Sequence, residues 1–372
     1  MRANDLSLYF FGRCLVCDRM SIQFAYDIHQ TWEANCQRGP QFAEPCPVVP
    51  ETPMKSFLGL PVRSRIGIAA GLLPNSRWIL PYAERGFDIL TYKTVRSAAH
   101  PCYPLPNWVF VEESSPPDGP VFVTTTLPRD PAQISSAVCF GMPSFSPEYW
   151  RDDVRRTRAG LQPGQLLIVS VVATPHETSS IYEIADDFAR CAAWATEAGA
   201  HVIEANLSCP NVASAEGSLY QDASASRTVV DRIRKAVGGT PVLLKIGTFG
   251  TPDSLRTFLR TMNGLADGVT LVNCIRRPIL HRDGRPAFGP KFRTAGVLGR
   301  AIHEPSVSVV RAVRECIESD DLSLSIAAVG GTSTVRDFAD FFAAEADAVL
   351  CGSAPMYRPN LAIEAKHAHP EW

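Results

Sequence analysis

Six consecutive residues, Asn206-Leu207-Ser208-Cys209-Pro210-Asn211, bring two amides, a hydroxyl and a thiol together where an apolar run meets a loop. Each amide offers donors and an acceptor, so the pair suits a planar molecule bearing carbonyl and N–H groups. Cys209 could act as a base once it is a thiolate. A thiol with an ordinary pKa near ~8.5 must be shifted or transiently deprotonated to do so near neutral pH. The same letters also describe a strand end, a Pro-Asn turn and an inert small thiol, and spacing alone leaves both readings open. Lys93, in Thr91-Tyr92-Lys93-Thr94, and Lys245, in Leu244-Lys245-Ile246-Gly247, close two other apolar runs. A buried charge needs a partner. One such lysine would read as a snorkelling surface residue, but two at equivalent positions favour a site for an anion or an electron-rich ring. Val329-Gly330-Gly331-Thr332 and Cys351-Gly352-Ser353 follow two late runs. Glycines let backbone N–H groups approach a phosphate, although ordinary tight turns use the same residues.

These groups must be carried by elements that bring their ends together. Apolar runs occur at 65–70, 88–93, 167–172, 201–206, 242–246, 268–273, 325–329 and 348–351. They are short and rich in Val, Ile and Leu, as parallel strands buried on both faces are. Helical spacing fills several gaps. Ile181, Ile184, Ala185, Phe188, Cys191, Ala192, Ala195 and Ala198 form one stripe, and Val307, Val310, Val313 and Ile317 another with Pro305 near its start. Eight strands alternating with helices predict an α/β fold, a (β/α)8 TIM barrel with its site at the C-terminal strand ends. The gap at about 94–165 is too long for a βα connection and predicts an inserted lobe after strand 2. Residues 1–55, with Leu8-Tyr9-Phe10-Phe11 and a proline-rich stretch at 40–53, are expected to be an N-terminal extension to a barrel unit at 56–372.

Composition narrows the partners. In 372 residues, Lys+Arg 36 against Asp+Glu 38 gives a net charge of -2, which supplies no electrostatic reason to expect nucleic acid. With 45% hydrophobic and 20% charged residues the chain has the makings of a large folded core. Its 11 scattered cysteines and lack of a signal peptide read as reduced thiols in a cytoplasmic protein. No apolar run reaches the ~20 residues needed to cross a bilayer, and membrane contact is not expected. Cys14, Cys17, Cys36 and Cys46 lack the paired spacing of a zinc site, the histidines are not clustered, and no metal is expected. His176 reads as a loop histidine near the mouth, and His367 and His369 as solvated.

Taken together, the Asn206–Asn211 motif, Lys93-Thr94, Lys245, Asn273 in Leu271-Val272-Asn273-Cys274, Gly330-Gly331, Gly352-Ser353 and Ala69-Ala70-Gly71 resemble the dihydroorotate dehydrogenases, FMN-dependent barrels. The likeness runs in the family's order from about Phe57 to about Tyr357. The resemblance implies FMN as cofactor, held by Ala70, Gly71, Lys93, Thr94, Lys245, Gly296, Gly330, Gly331, Gly352 and Ser353. It implies a dihydropyrimidine bound by Lys93, Asn206, Asn211 and Asn273, with Cys209 taking a proton from C5 while hydride passes from C6 to flavin N5. The activity implied is oxidation of dihydroorotate to orotate in pyrimidine biosynthesis. Cysteine at position 209 resembles the soluble branch of the family; the quinone-using branch has serine there.

Two segments depart from the pattern. In Ala137-Val138-Cys139-Phe140-Gly141-Met142-Pro143-Ser144, which resembles the family's substrate loop, Val138 and Ser144 stand where asparagines are usual, and Asn107 stands where some soluble members have arginine. Each lost amide contact is worth about 1–3 kcal/mol. Two alternatives therefore stay open: a flavin barrel acting on another dihydropyrimidine or activated C=C bond, and a flavin-binding protein without turnover. The resemblance also leaves open a homodimer and an electron-transfer partner subunit.

Overall fold

The computed structural model describes residues 22–112, 119–176, 178–208 and 215–372. Its centre is a closed barrel of parallel strands: β1 (Ile66–Ile68), β2 (Ile89–Val95), β3 (Leu166–Val171), β4 (Val202–Asn206), β5 (Val242–Lys245), β6 (Gly268–Leu271), β7 (Ser325–Val329) and β8 (Ala348–Cys351). Each pairs with the next in chain order, and β8 returns to β1 with Cys351 opposite Ile68. The eight apolar runs of the sequence become these eight strands. Side chains alternate between faces along a strand, and here both faces are covered. Ile89, Ile168, Val202, Leu243, Ala327 and Leu350 pack together inside the barrel. Their neighbours Leu90, Leu167, Ile203 and Leu244 join the larger cluster containing Phe188, Val229, Phe258 and Val310 of the surrounding helices.

Those helices are α1 (Trp32–Arg38), α2 (Ser76–Glu84), α3 (Pro147–Gly160), α4 (Ile181–Glu197), α5 (Ala223–Val237), α6 (Pro252–Met262), α7 (His303–Ser319), α8 (Val335–Ala343) and α9 (Leu361–Ala368). Helix α4 begins with a reciprocal capping box between Ser180 and Glu183, and the stripe read from the sequence is its buried face. Helix α8 begins with another box between Thr334 and Asp337.

Between β2 and β3 lie strands Trp108–Glu112, Val121–Val123 and Ser135–Val138. They close into a second, smaller barrel with Ile275–Leu280 and Thr294–Gly299, which come from between β6 and β7. The sequence reading expected an inserted lobe over the first of these stretches and nothing over the second. Ile275–Leu280 contains Arg276, Arg277 and Pro278, and Thr294–Gly299 contains Gly296 and Gly299. Neither has the β-branched alternation that marks a strand.

Part of the chain before residue 55 docks near the barrel mouth. The Ala25 amide donates to Met356 O at 2.6 Å, and the Tyr26 ring lies 5.2 Å from Trp108 and 5.8 Å from Trp78. Cys36 is buried on α1 and Cys46 is exposed, while Cys14 and Cys17 lie outside the described residues. At the opposite end of the barrel, Lys366 Nζ meets Asp88 Oδ2 at 2.6 Å with both side chains buried, and Ser64 donates to the same carboxylate oxygen at 2.6 Å. This pair ties the last helix to the start of β2.

Candidate functional site

The C-terminal strand ends open into a cavity with about 1020 Å³ of space free of protein atoms, open solvent included. Strand β1 leads into Ala70 and Gly71, β2 carries Lys93 and Thr94, β4 ends at Asn206 and β5 at Lys245. Asn273 follows β6, Gly330 and Gly331 follow β7, and Gly352 and Ser353 follow β8. All of these expected positions line the one cavity. Gly296 does not join them: it pairs with Val138 and Arg276 in the smaller barrel, and Leu298 and Gly299 are the lining residues of that strand. Cys209 and Asn211 lie outside the described residues.

The polar groups of the floor are linked. Asn206 Nδ2 donates to Thr94 Oγ1 at 3.3 Å, and Thr94 Oγ1 is 3.0 Å from Ser170 Oγ. Asn206 Oδ1 accepts from Asn273 Nδ2 at 3.2 Å and from the Ser208 amide at 3.4 Å, and Asn273 Nδ2 also donates to Ser208 O. The two amides are thereby held with their planes fixed before any ligand arrives, which lowers the ordering cost of binding. Lys245 is 3% exposed, and its Nζ donates to Ala70 O at 3.3 Å. Lys93 is 7% exposed on β2. Two buried ammonium groups at one mouth make the cavity suited to an anionic or electron-accepting ligand.

The glycines serve two different ends. A Cβ on Gly330 would fall 2.1 Å from Ser306 Oγ, and one on Gly331 would fall 2.6 Å from Gly299 O; both residues have positive φ. They let the loop after β7 pack closely on the start of α7. At Gly71 and Gly352 an added Cβ would meet nothing within 4 Å, so here the missing side chain leaves room in the cavity. Beside them, Thr332 Oγ1 is buried without a hydrogen-bond partner. The Ser333 and Thr334 amides, each 2.8 Å from Asp337 Oδ2, are already satisfied.

The roof is apolar. Trp108, Val138, Phe140, Met142 and Leu298 supply the cavity's apolar lining, and Met142 Sδ accepts from Asn206 Nδ2 at 3.5 Å. Val138, Phe140 and Met142 belong to the segment that resembles the family's substrate loop, whereas Trp108 and Leu298 escaped the sequence reading, because nothing short of the smaller barrel's closure brings them to the mouth. Ser144 is turned to backbone: its Oγ accepts from the Arg96 amide at 3.1 Å and donates to Phe145 O at 2.9 Å. Asn107 is buried, its amide donating to Tyr103 O at 3.2 Å, and neither residue lines the cavity. His176 stands in an exposed loop, its amide donating to Ser179 Oγ.

Comparison with known proteins agrees with this geometry. Residues 141–366 match the family model described as dihydroorotate dehydrogenase. A dihydroorotate dehydrogenase of Dictyostelium discoideum is 29% identical over 357 residues, covering 91% of this chain and 95% of that protein. A putative dihydroorotate dehydrogenase A (fumarate) of Pediococcus pentosaceus is 31% identical over 178 residues, 47% of this chain and 56% of the relative. The catalytic subunit of a dihydroorotate dehydrogenase B (NAD(+)) from Solidesulfovibrio magneticus is 29% identical over 190 residues, 50% and 59% of the two chains. In fold, the chain resembles the DHODH of Eimeria tenella solved in complex with ferulenol, with a TM-score of 0.65 at 17% identity over 84% of this chain and 82% of that one. With a family match over more than half its length and a relative aligned nearly end to end, the chain belongs to the dihydroorotate dehydrogenase family and is an oxidoreductase acting on a CH–CH bond.

Proposed function

We propose that the cavity holds FMN and that the chain oxidises dihydroorotate to orotate, a step of pyrimidine biosynthesis. The observation that carries this reading is the convergence on one cavity of two buried lysines, the Asn206–Asn273 pair and the glycine turns after β7 and β8, in a chain of this family. The residues fit a phosphate-bearing flavin. Thr332 offers an unpartnered hydroxyl, and Gly71 and Gly352 leave open space. Because the Ser333 and Thr334 amides just before α8 are committed to Asp337, the phosphate is assigned to the backbone around Gly330, Gly331, Gly352 and Ser353.

When bound, FMN supplies a hydride acceptor for C6 of the dihydropyrimidine. Lys245 stabilises negative charge on an electron-accepting ring, and Lys93 serves both ring and substrate. Asn206, Asn211 and Asn273 hold the substrate's amide groups, and Cys209 takes the proton from C5. In this reading residues 1–55 are an extension, 56–372 the catalytic unit and the smaller barrel an inserted lobe over the mouth. Fumarate and a nicotinamide-linked partner subunit are the acceptors to test first, because the relatives' names carry both.

The apolar roof favours one second reading. Val138 presents methyl groups where a polar substrate edge would want an amide, so a flavin barrel acting on a less polar dihydropyrimidine or activated C=C bond accounts for the same floor. Anaerobic titration of the purified protein with dihydroorotate and a panel of dihydropyrimidines separates the two. The first reading expects stoichiometric FMN bleached by dihydroorotate. Bleaching only by another member of the panel moves the assignment to the second, and protein that takes up no flavin ends both.

A further inference from the structure

The acidic residues buried as a whole, among the described residues, are Asp88, Asp153, Glu204 and Asp337. Three are satisfied. Asp88 meets Lys366, Asp153 accepts from the Ser76 amide at 2.6 Å and from Tyr92 Oη at 2.9 Å, and Asp337 accepts the two amides at the start of α8. Glu204 differs: it is 0% exposed, and neither carboxylate oxygen has a hydrogen-bond partner.

Its place in the fold is fixed by strand alternation. Along β4, Val202 belongs to the cluster inside the barrel and Asn206 lines the cavity, so Glu204 between them faces the same interior. It stands ~6.6 Å, two strand residues, beneath Asn206. Its register neighbours are Ser170 on β3 and Leu243 on β5, and Lys245 is the next inward residue above Leu243. Thr91 and Thr270 are buried with unpartnered hydroxyls, and with Ser170 they give the barrel a polar layer just under the mouth where lower layers are aliphatic. A charge at that position would act on the cavity through space, because the low-dielectric interior screens its field little.

We propose that Glu204 is an electrostatic tuning residue of the cavity: from one layer beneath Asn206 and Lys245 its negative charge offsets the two lysines and lowers the reduction potential of the flavin bound above. This rests on the FMN reading. Removing the charge removes that offset, so the bound ring accepts electrons more readily. The expected shift is about tenfold in the two-electron reduction equilibrium, ~30 mV upward.

The test is anaerobic potentiometric titration of the flavin-loaded protein as wild type, Glu204→Gln, Glu204→Met and Glu204→Asp, with FMN occupancy recorded for each. Both neutral variants should move the potential upward, and the charge-retaining Asp variant should move it less. An unchanged potential in a folded, flavin-loaded neutral variant overturns the proposal, and so does an Asp shift as large as the Gln shift, which would make packing the cause. Should neither neutral variant fold, the Asp variant decides, since a retracted carboxylate must still raise the potential measurably. Wild type that binds no FMN sinks the flavin reading first, a failure distinct from bound flavin whose potential ignores position 204.

Discussion

Gly330→Ala tests whether the loop after β7 is held by close packing. Its φ of +148° lies where an L-residue is strained, which costs about 1–3 kcal/mol. The new Cβ would stand 2.1 Å from Ser306 Oγ and 2.5 Å from Ser306 Cβ. Ser306 is fully buried on the first turn of α7 and donates to Ile302 O at 2.6 Å, so it cannot swing aside cheaply. Overpacking of this kind costs about 1–3 kcal/mol. The sum, about 2–6 kcal/mol, corresponds to a fall in Tm of roughly 4–24 °C at the ~2–4 °C per kcal/mol of larger domains. Thermal melts with and without added FMN measure it, and FMN retention through a desalting column reports the loop. Ser306→Gly in the same chain removes both clashing atoms and should recover about 1–2 kcal/mol, leaving the backbone strain. Gly352→Ala is the contrast: it meets no atom within 4 Å, so Tm should hold while FMN affinity falls because the methyl enters the cavity. A Gly330→Ala protein with wild-type Tm, or no relief from Ser306→Gly, would refute the packing account.

Other expectations follow from the same contacts. Lys366→Met strands Asp88 in the interior with Ser64 and Gln165 as its remaining side-chain donors, and denaturant unfolding should show a loss of about 3–5 kcal/mol; a loss under ~1 kcal/mol would mean the pair is not structural. Burial, with help from Arg158, pushes His201 down to about 4, and its Nδ1 accepts the Leu167 amide at 2.9 Å, so the folded state keeps the neutral ring. The unfolded chain binds the proton more readily, so this stability is complete above about pH 6.5 and drains as pH falls toward 4. Discounted for partial exposure it amounts to about 1–2 kcal/mol. His201→Gln should flatten urea-derived stability across that window, and an unchanged slope would remove His201 as its cause. Val138→Asn restores an amide on the roof and should raise dihydroorotate turnover about tenfold if that is the substrate; no gain would favour the less polar substrate class.

Much of the barrel was legible because parallel strands buried on both faces must be apolar throughout, and eight such runs separated by helical stripes have few other ways to close. Lys93 and Lys245 stood out for a related reason: a charged residue ending an apolar strand is costly unless it meets a partner. Asn206 stood out as one of two amides in a short motif, and Asn273 only through the family resemblance. The smaller barrel was not legible as a barrel. The length of its first stretch led to the expectation of an inserted lobe, but Ile275–Leu280 and Thr294–Gly299 carry arginines, a proline and glycines that pair only because strands from elsewhere present an edge to them.

The residue types at the strand ends, and the order in which they occur, were determined by the sequence alone, since strand order in a parallel barrel is chain order. The tertiary structure decided what each of those residues must avoid or oppose. Gly330 and Gly331 looked alike with Gly352 as phosphate turns, yet two of the three are glycine because α7 and a strand of the smaller barrel press against them. The roof of Trp108, Phe140, Met142 and Leu298 exists only where two distant insertions meet. Glu204 reads as one more polar letter in Glu204-Ala205-Asn206, and its isolation beneath two lysines is a property of the closed barrel, because burial and the lack of a partner are relations between strands that no single stretch of chain records.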